Sequence, residues 1–186
     1  VCSSDLAFST IGQLSYIILG AGLAHSYGVK GAMLHICMHA FGKITLFMCA
    51  GAIFVASGKK YISQMKGLGR IMPITFGAFL IGSLSVIGLP PAGGFISKWL
   101  LLKGTIASDH WPMMVVLLGS SLLNAAYFFP IIYEAFFGGP REAERPIIKE
   151  APLACTLPLS ITAAMSIVLF FYPEPFLTLV NIAVGN

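Results

Sequence analysis

Three titratable side chains stand four residues apart in one apolar run: His35, His39 and Lys43, within the stretch from Gly31 to Ser57. At ~3.6 residues per turn, positions four apart stack on one helix face, so the three line a single stripe of an otherwise greasy helix. A lysine at mid-bilayer costs ~2.5–3.5 kcal/mol on insertion scales, and such residues usually face a protein interior and serve a function there. Desolvation opposes the charged form of lysine, and histidine loads and unloads protons near neutrality through two ring nitrogens. The chemistry that suits this spacing is proton movement. Lys98, just past a cluster of prolines and glycines, would be a second station. The plainer alternative is that these groups only pair with acids or backbone carbonyls. A further one is that His-x3-His holds a metal or a haem. For that the ligand set is incomplete, since no other histidine lies in a spanning segment and no carboxylate stands mid-membrane.

The composition says what must position these groups. The chain is 57% hydrophobic and 10% charged, against about 25% charged in soluble domains. It reads as an all-α membrane protein of about five transmembrane passes. The first spans 6–24 and carries a polar stripe in which Ser9 and Gln13 are possible members of a proton path. A glycine-containing turn is expected over 25–30, and the second pass, 31–57, holds the His/Lys stripe.

The third pass, 73–108, is interrupted at 88–94, where Pro90, Pro91, Gly93 and Gly94 cannot continue a regular helix. A hairpin and a broken helix both fit. The broken helix is preferred, because Lys98 lies one turn past the interruption and irregular backbone at depth is tolerated where it lines a cavity. The fourth pass is 111–137 and the fifth 151–172, followed by an amphipathic tail. Glu134, near the end of the fourth, reads either as an interface residue that snorkels to water or as a port in the proton path.

Loop 57–71 holds Lys59, Lys60, Lys66 and Arg70 without an acid. The positive-inside rule therefore makes it cytoplasmic, with 138–150 on the same side. The expected location is the cell inner membrane, in contact with the lipid bilayer. Cys37, Cys49 and Cys155 sit in apolar runs and read as small buried hydrophobes. No secretory signal opens the chain, and residues 1–5 read as a truncated or non-native start to one membrane domain, 1–186. The glycine cluster lacks the Lys-Ser/Thr ending of a phosphate loop, and no nucleic-acid patch is present. No cofactor is expected.

Three ordered motifs carry a resemblance. They are Leu6-Ala7-Phe8-Ser9-Thr10-Ile11-Gly12-Gln13-Leu14-Ser15-Tyr16; His39-Ala40-Phe41-Gly42-Lys43 leading into Leu46-Phe47; and Gly88-Leu89-Pro90-Pro91 leading to Gly94-Phe95-Ile96-Ser97-Lys98. Together they resemble the proton-translocating antiporter-like subunits shared by respiratory complex I, membrane-bound hydrogenases and Mrp-type cation/proton antiporters. The wording around Lys43, with Tyr127-Phe128-Phe129-Pro130, looks most like the D subunit of the Mrp type. The resemblance implies a subunit of about fourteen helices with two inverted five-helix repeats, of which this chain is most of the second plus the last helix. It implies that Lys43 is the central-axis lysine, that His35 and His39 are the relay positions before it, and that Lys98 is the lysine of the second broken helix. It also implies partner membrane subunits, H+ as a transported ion (with Na+, with K+ or alone), and a transporter subunit that is not catalytic by itself. The pattern's first repeat and the residues that precede Leu6 are missing, so this chain alone is not expected to translocate ions. A haem- or quinone-binding redox subunit, or a scaffold without an ion path, are the competing functions.

Overall fold

The structure, a computed structural model, describes residues 2–138 and 149–185. Most of the charged segment 138–150, including Arg141, Glu142, Glu144 and Arg145, lies outside the described residues. Seven α-helices are formed among the described residues: α1 (Cys2–Gly22), α2 (Ser26–Ser57), α3 (Pro73–Ile87), α4 (Gly94–Ala107), α5 (Trp111–Phe137), α6 (Leu153–Phe171) and α7 (Glu174–Val184). By length and composition α2, α5 and α6 can each cross a bilayer.

Helix α2 is the axis of the bundle and packs against α1, α3, α4, α6 and α7. It starts where the His25 side chain accepts the Tyr27 amide, and it ends at Gly58, whose left-handed backbone (φ 68°) returns its amide to Phe54 O. Its 32 residues make a rod of roughly 48 Å, longer than the ~30 Å hydrocarbon core. The turn expected over 25–30 is confined to residues 23–25, because Gly28 and Gly31 are helical. Their lack of a Cβ serves packing instead. A Cβ on Gly31 would lie 2.7 Å from the Leu101 amide nitrogen, and one on Gly104 would lie 2.7 Å from that of Gly28. Small residues of this kind let membrane helices approach closely.

The interruption is a broken helix. Contacts with α2 run in one direction along it: the Cys49 thiol meets Thr75 O, Gly82 meets Leu46 and Gly42, Ser85 meets Gly42, and Gly93 meets Met38. Beyond the break Ser97 meets His35 and Gly31 meets Leu101. Thus α3 and α4 form one pass antiparallel to α2, where a hairpin would have reversed the register. Helix α3 begins at Pro73, with the Ile74 amide and Thr75 hydroxyl both donating to the Glu150 carboxylate (3.0 and 2.6 Å). It ends at Gly88, left-handed at φ 86°. Residues 88–93 are non-helical, and the Pro90–Pro91 peptide is cis.

The main apolar core, with Leu46, Phe76, Phe79, Phe128 and Leu159 at its centre, joins α2, α3, α5 and α6. It fixes the α3 end of the break. A smaller cluster of Tyr16, Ala32, Leu101 and Leu117 locks α1, α2, α4 and α5 on the other side.

Candidate functional site

The four-residue spacing places His35, His39 and Lys43 on one face of α2, turned toward α1 and the broken pass. The His35 and His39 rings stack with centroids 5.8 Å apart and planes 15° off parallel. His35 is 1% exposed, Lys43 4% and Lys98 5%.

The histidine nitrogens differ in their partners. His35 Nδ1 lies 2.9 Å from the Ser97 hydroxyl, and that hydroxyl donates its only proton to Gly94 O at 3.0 Å. While that bond is made the Ser97 oxygen accepts from His35 Nδ1–H, and in the other ring tautomer Ser97 donates to Nδ1 instead. His35 Nε2 and His39 Nδ1 are both buried without a hydrogen-bond partner among the described residues.

The lysines differ sharply. Lys98 donates to Val86 O (2.8 Å), Ile87 O (2.9 Å) and the Ser121 hydroxyl (3.2 Å), which accounts for all three of its ammonium protons. The Tyr16 ring lies 4.6 Å from the same nitrogen. Lys43 Nζ is buried with no hydrogen-bond partner among the described residues.

Tyr16 joins the parts. Its ring meets His35 edge to face (5.6 Å, 85°), and its hydroxyl donates to Ser120 on α5 at 2.7 Å. Gln13 and Ser9 follow on the same face of α1 at one-turn intervals, level with His39 and Lys43 in the antiparallel α1–α2 pair. Gln13 is fully buried, and among the described residues neither of its amide atoms nor the Ser9 hydroxyl has a partner. Ser85 and Ser166, on opposite sides of the break, also have unpartnered buried hydroxyls. A buried polar group left unsatisfied costs about 1–3 kcal/mol. Several together in one region supply the polar partners that a bridging water needs.

The four break residues divide by location. Pro90 and Pro91 are exposed, whereas Gly93 and Gly94 are buried. The Gly93 amide donates to Ser166 O on α6 at 2.8 Å, and Gly94 lies flush against Ser85 O. Beside the break, between α4 and α5, is a half-open, mostly apolar pocket of about 440 Å³, into whose lining Lys98 and Ser121 also enter.

Glu134 stands apart, more than three turns along α5 from Ser121. It forms a half-exposed ion pair with Lys66 (3.4 Å), and its main-chain carbonyl accepts the Gly67 amide at 3.1 Å. Among the described residues no group of three or more His, Cys, Asp or Glu side chains is placed to share a metal ion.

Sequence reasoning missed the roles of Tyr16, Ser97 and Ser121. Tyr16 continues the Ser9–Gln13 stripe and was findable by extending it. Ser97 neighbours Lys98 but faces α2. Ser121 has no local signal, because only the packing of α5 on α4 brings it to Lys98.

Residues 4–124 match the family described as NADH:quinone oxidoreductase/Mrp antiporter, TM. That span includes every residue of the lysine–histidine cluster except Ser166 and excludes Glu134. The chain is 36% identical over 184 residues to NADH-quinone oxidoreductase subunit N of Desulforudis audaxviator, covering 93% of this chain and 37% of that protein. It is 34% identical over 175 residues to F(420)H(2) dehydrogenase subunit L of Methanosarcina mazei, covering 87% of this chain and 26% of that protein. The chain thus spans well under half the length of these curated relatives. Its fold is that of a chain in the Mrp complex from Dietzia sp. DQ12-45-1b, with a TM-score of 0.88 at 22% identity, covering 97% of this chain and 42% of that one.

Proposed function

Because the chain belongs to the NADH:quinone oxidoreductase/Mrp antiporter transmembrane family, we propose that it forms the proton-conducting half of a subunit in a multisubunit monovalent cation/proton antiporter, of the Mrp D type. Protons move between Lys43 and Lys98 through His39, His35 and water held by Gln13, Ser9 and the serines of the break. The observation that carries this reading is the run of unpartnered buried polar atoms from Ser9 and Lys43 to His35, ending at the fully housed Lys98. A charge that crosses the full membrane potential exchanges ~2.3 kcal/mol per 100 mV, enough to couple a gradient to transport. The partners are the complex's other membrane subunits. The loop over 57–71 faces the cytoplasm from the inner membrane. A second reading, a proton-pumping subunit of complex I or a membrane-bound hydrogenase, is favoured by the 36% identity to an NADH-quinone oxidoreductase subunit. It uses the same path.

Lys43 tests the proposal in the full complex. Lys43→Ala should nearly abolish ion translocation while the complex still assembles. Lys43→Arg should also be poor, because a guanidinium keeps its proton at physiological pH. A lysine held only for its charge predicts the opposite for arginine. Near-normal transport by Lys43→Arg at normal expression would sink the relay role of Lys43.

A further inference from the structure

Lys98 reaches back past the start of its own helix and lodges its ammonium in a seat built by other elements. The seat has two main-chain oxygens, Val86 O at 2.8 Å and Ile87 O at 2.9 Å, and the Ser121 hydroxyl at 3.2 Å. The face of Tyr16 closes it at 4.6 Å. Both carbonyls belong to the last turn of α3, where they have no partner inside the helix and carry the negative end of its dipole. Backbone oxygens of this kind replace the hydration shell of alkali cations in selective pores. Half-helix C-terminal ends likewise coordinate cations in transporters with discontinuous helices. The carbonyl distances suit ammonium and potassium alike, ions of nearly equal radius, better than the smaller sodium ion.

We propose that this seat is a monovalent-cation site of the potassium size class, which the Lys98 ammonium fills from within. The ammonium and a free ion exclude each other there. The adjoining half-open, mostly apolar pocket, which Lys98 and Ser121 help to line, gives the lysine stem room to withdraw. Gly88 keeps that path open, since a Cβ at this position would press on Lys98 Cδ. The site stands on its own oxygens and not on the relay through Lys43, so a negative result there leaves it intact.

Binding of rubidium-86, a close stand-in for potassium, tests the site in the full-length protein within its complex. Lys98→Ala removes the tethered charge, whereas Lys98→Met occupies the seat with a neutral chain. Saturable rubidium binding is expected in Lys98→Ala above the level of both Lys98→Met and the unmodified protein. Adding Ser121→Ala to Lys98→Ala should raise the half-saturating concentration about tenfold, the effect of one lost oxygen ligand. Equal binding by the Ala and Met variants would overturn the proposal, as would an affinity indifferent to Ser121. So would failure of Lys98→Ala to assemble in potassium buffer where Lys98→Met assembles, because the ion should restore the missing charge.

Discussion

The two buried lysines of this bundle are held in opposite ways, and the difference is chemical. Lys98 has every ammonium proton committed, whereas Lys43 has none committed to a described residue. Gln13 shares the condition of Lys43, being fully buried with both amide atoms unpaired. An apolar residue of similar shape at this position orphans no protein partner among the described residues, so the change is close to neutral or stabilising. Gln13→Leu should therefore leave thermal stability of the complex unchanged or raised by about 1 kcal/mol, while proton transport falls severalfold. A destabilised Gln13→Leu complex with ordinary transport would make Gln13 a packing residue. The stripe itself was legible in the sequence, because a four-residue period needs only helix geometry. The partners of Lys98 were not, since two are main-chain oxygens, which carry no residue signature, and the third comes from α5.

At the level of elements, the break was legible and its packing was not. Prolines and glycines announce where a helix must stop, but not that Pro90 and Pro91 face outward while Gly93 and Gly94 are buried. Gly28 misled for a related reason. Glycine signals a turn in local sequence, yet in a membrane bundle it also marks where backbones touch. The contrast can be measured. Gly94→Ala would drive a methyl into the Ser85 carbonyl, whereas Gly51 has nothing within 4 Å of its Cβ position. Gly94→Ala should cost about 1–3 kcal/mol or more through overpacking. Gly51→Ala should be neutral or stabilising by up to about 1 kcal/mol, as helix propensity favours alanine. Thermal midpoints and yields of assembled complex for the pair would decide this. Equal tolerance of both substitutions would mean that α3 and α4 are not in close contact at the break.

On the scale of the whole molecule, several contacts gather two segments at one end of the bundle. Arg70 Nε donates to Phe136 O at 2.8 Å, the Gly67 amide to Glu134 O, Lys66 pairs with Glu134, and Glu150 caps α3. The segment over 57–71 and the residues on either side of 139–148 therefore lie together at one end of the bundle. With that end cytoplasmic, Ser63→Cys should react with an impermeant thiol reagent only after the inner face is opened. Labelling in intact cells would invert the topology. The hydrogen bond from Gly93 to Ser166 has a consequence of another kind, for the order in which the chain is made. The amide at the break waits for an acceptor that belongs to α6, translated some seventy residues later. A nascent chain halted before Leu153 should therefore expose a thiol at the neighbouring buried position, Ala92→Cys, to labelling, and release of synthesis through α6 should bury it. The ribosome, on this view, completes the break last.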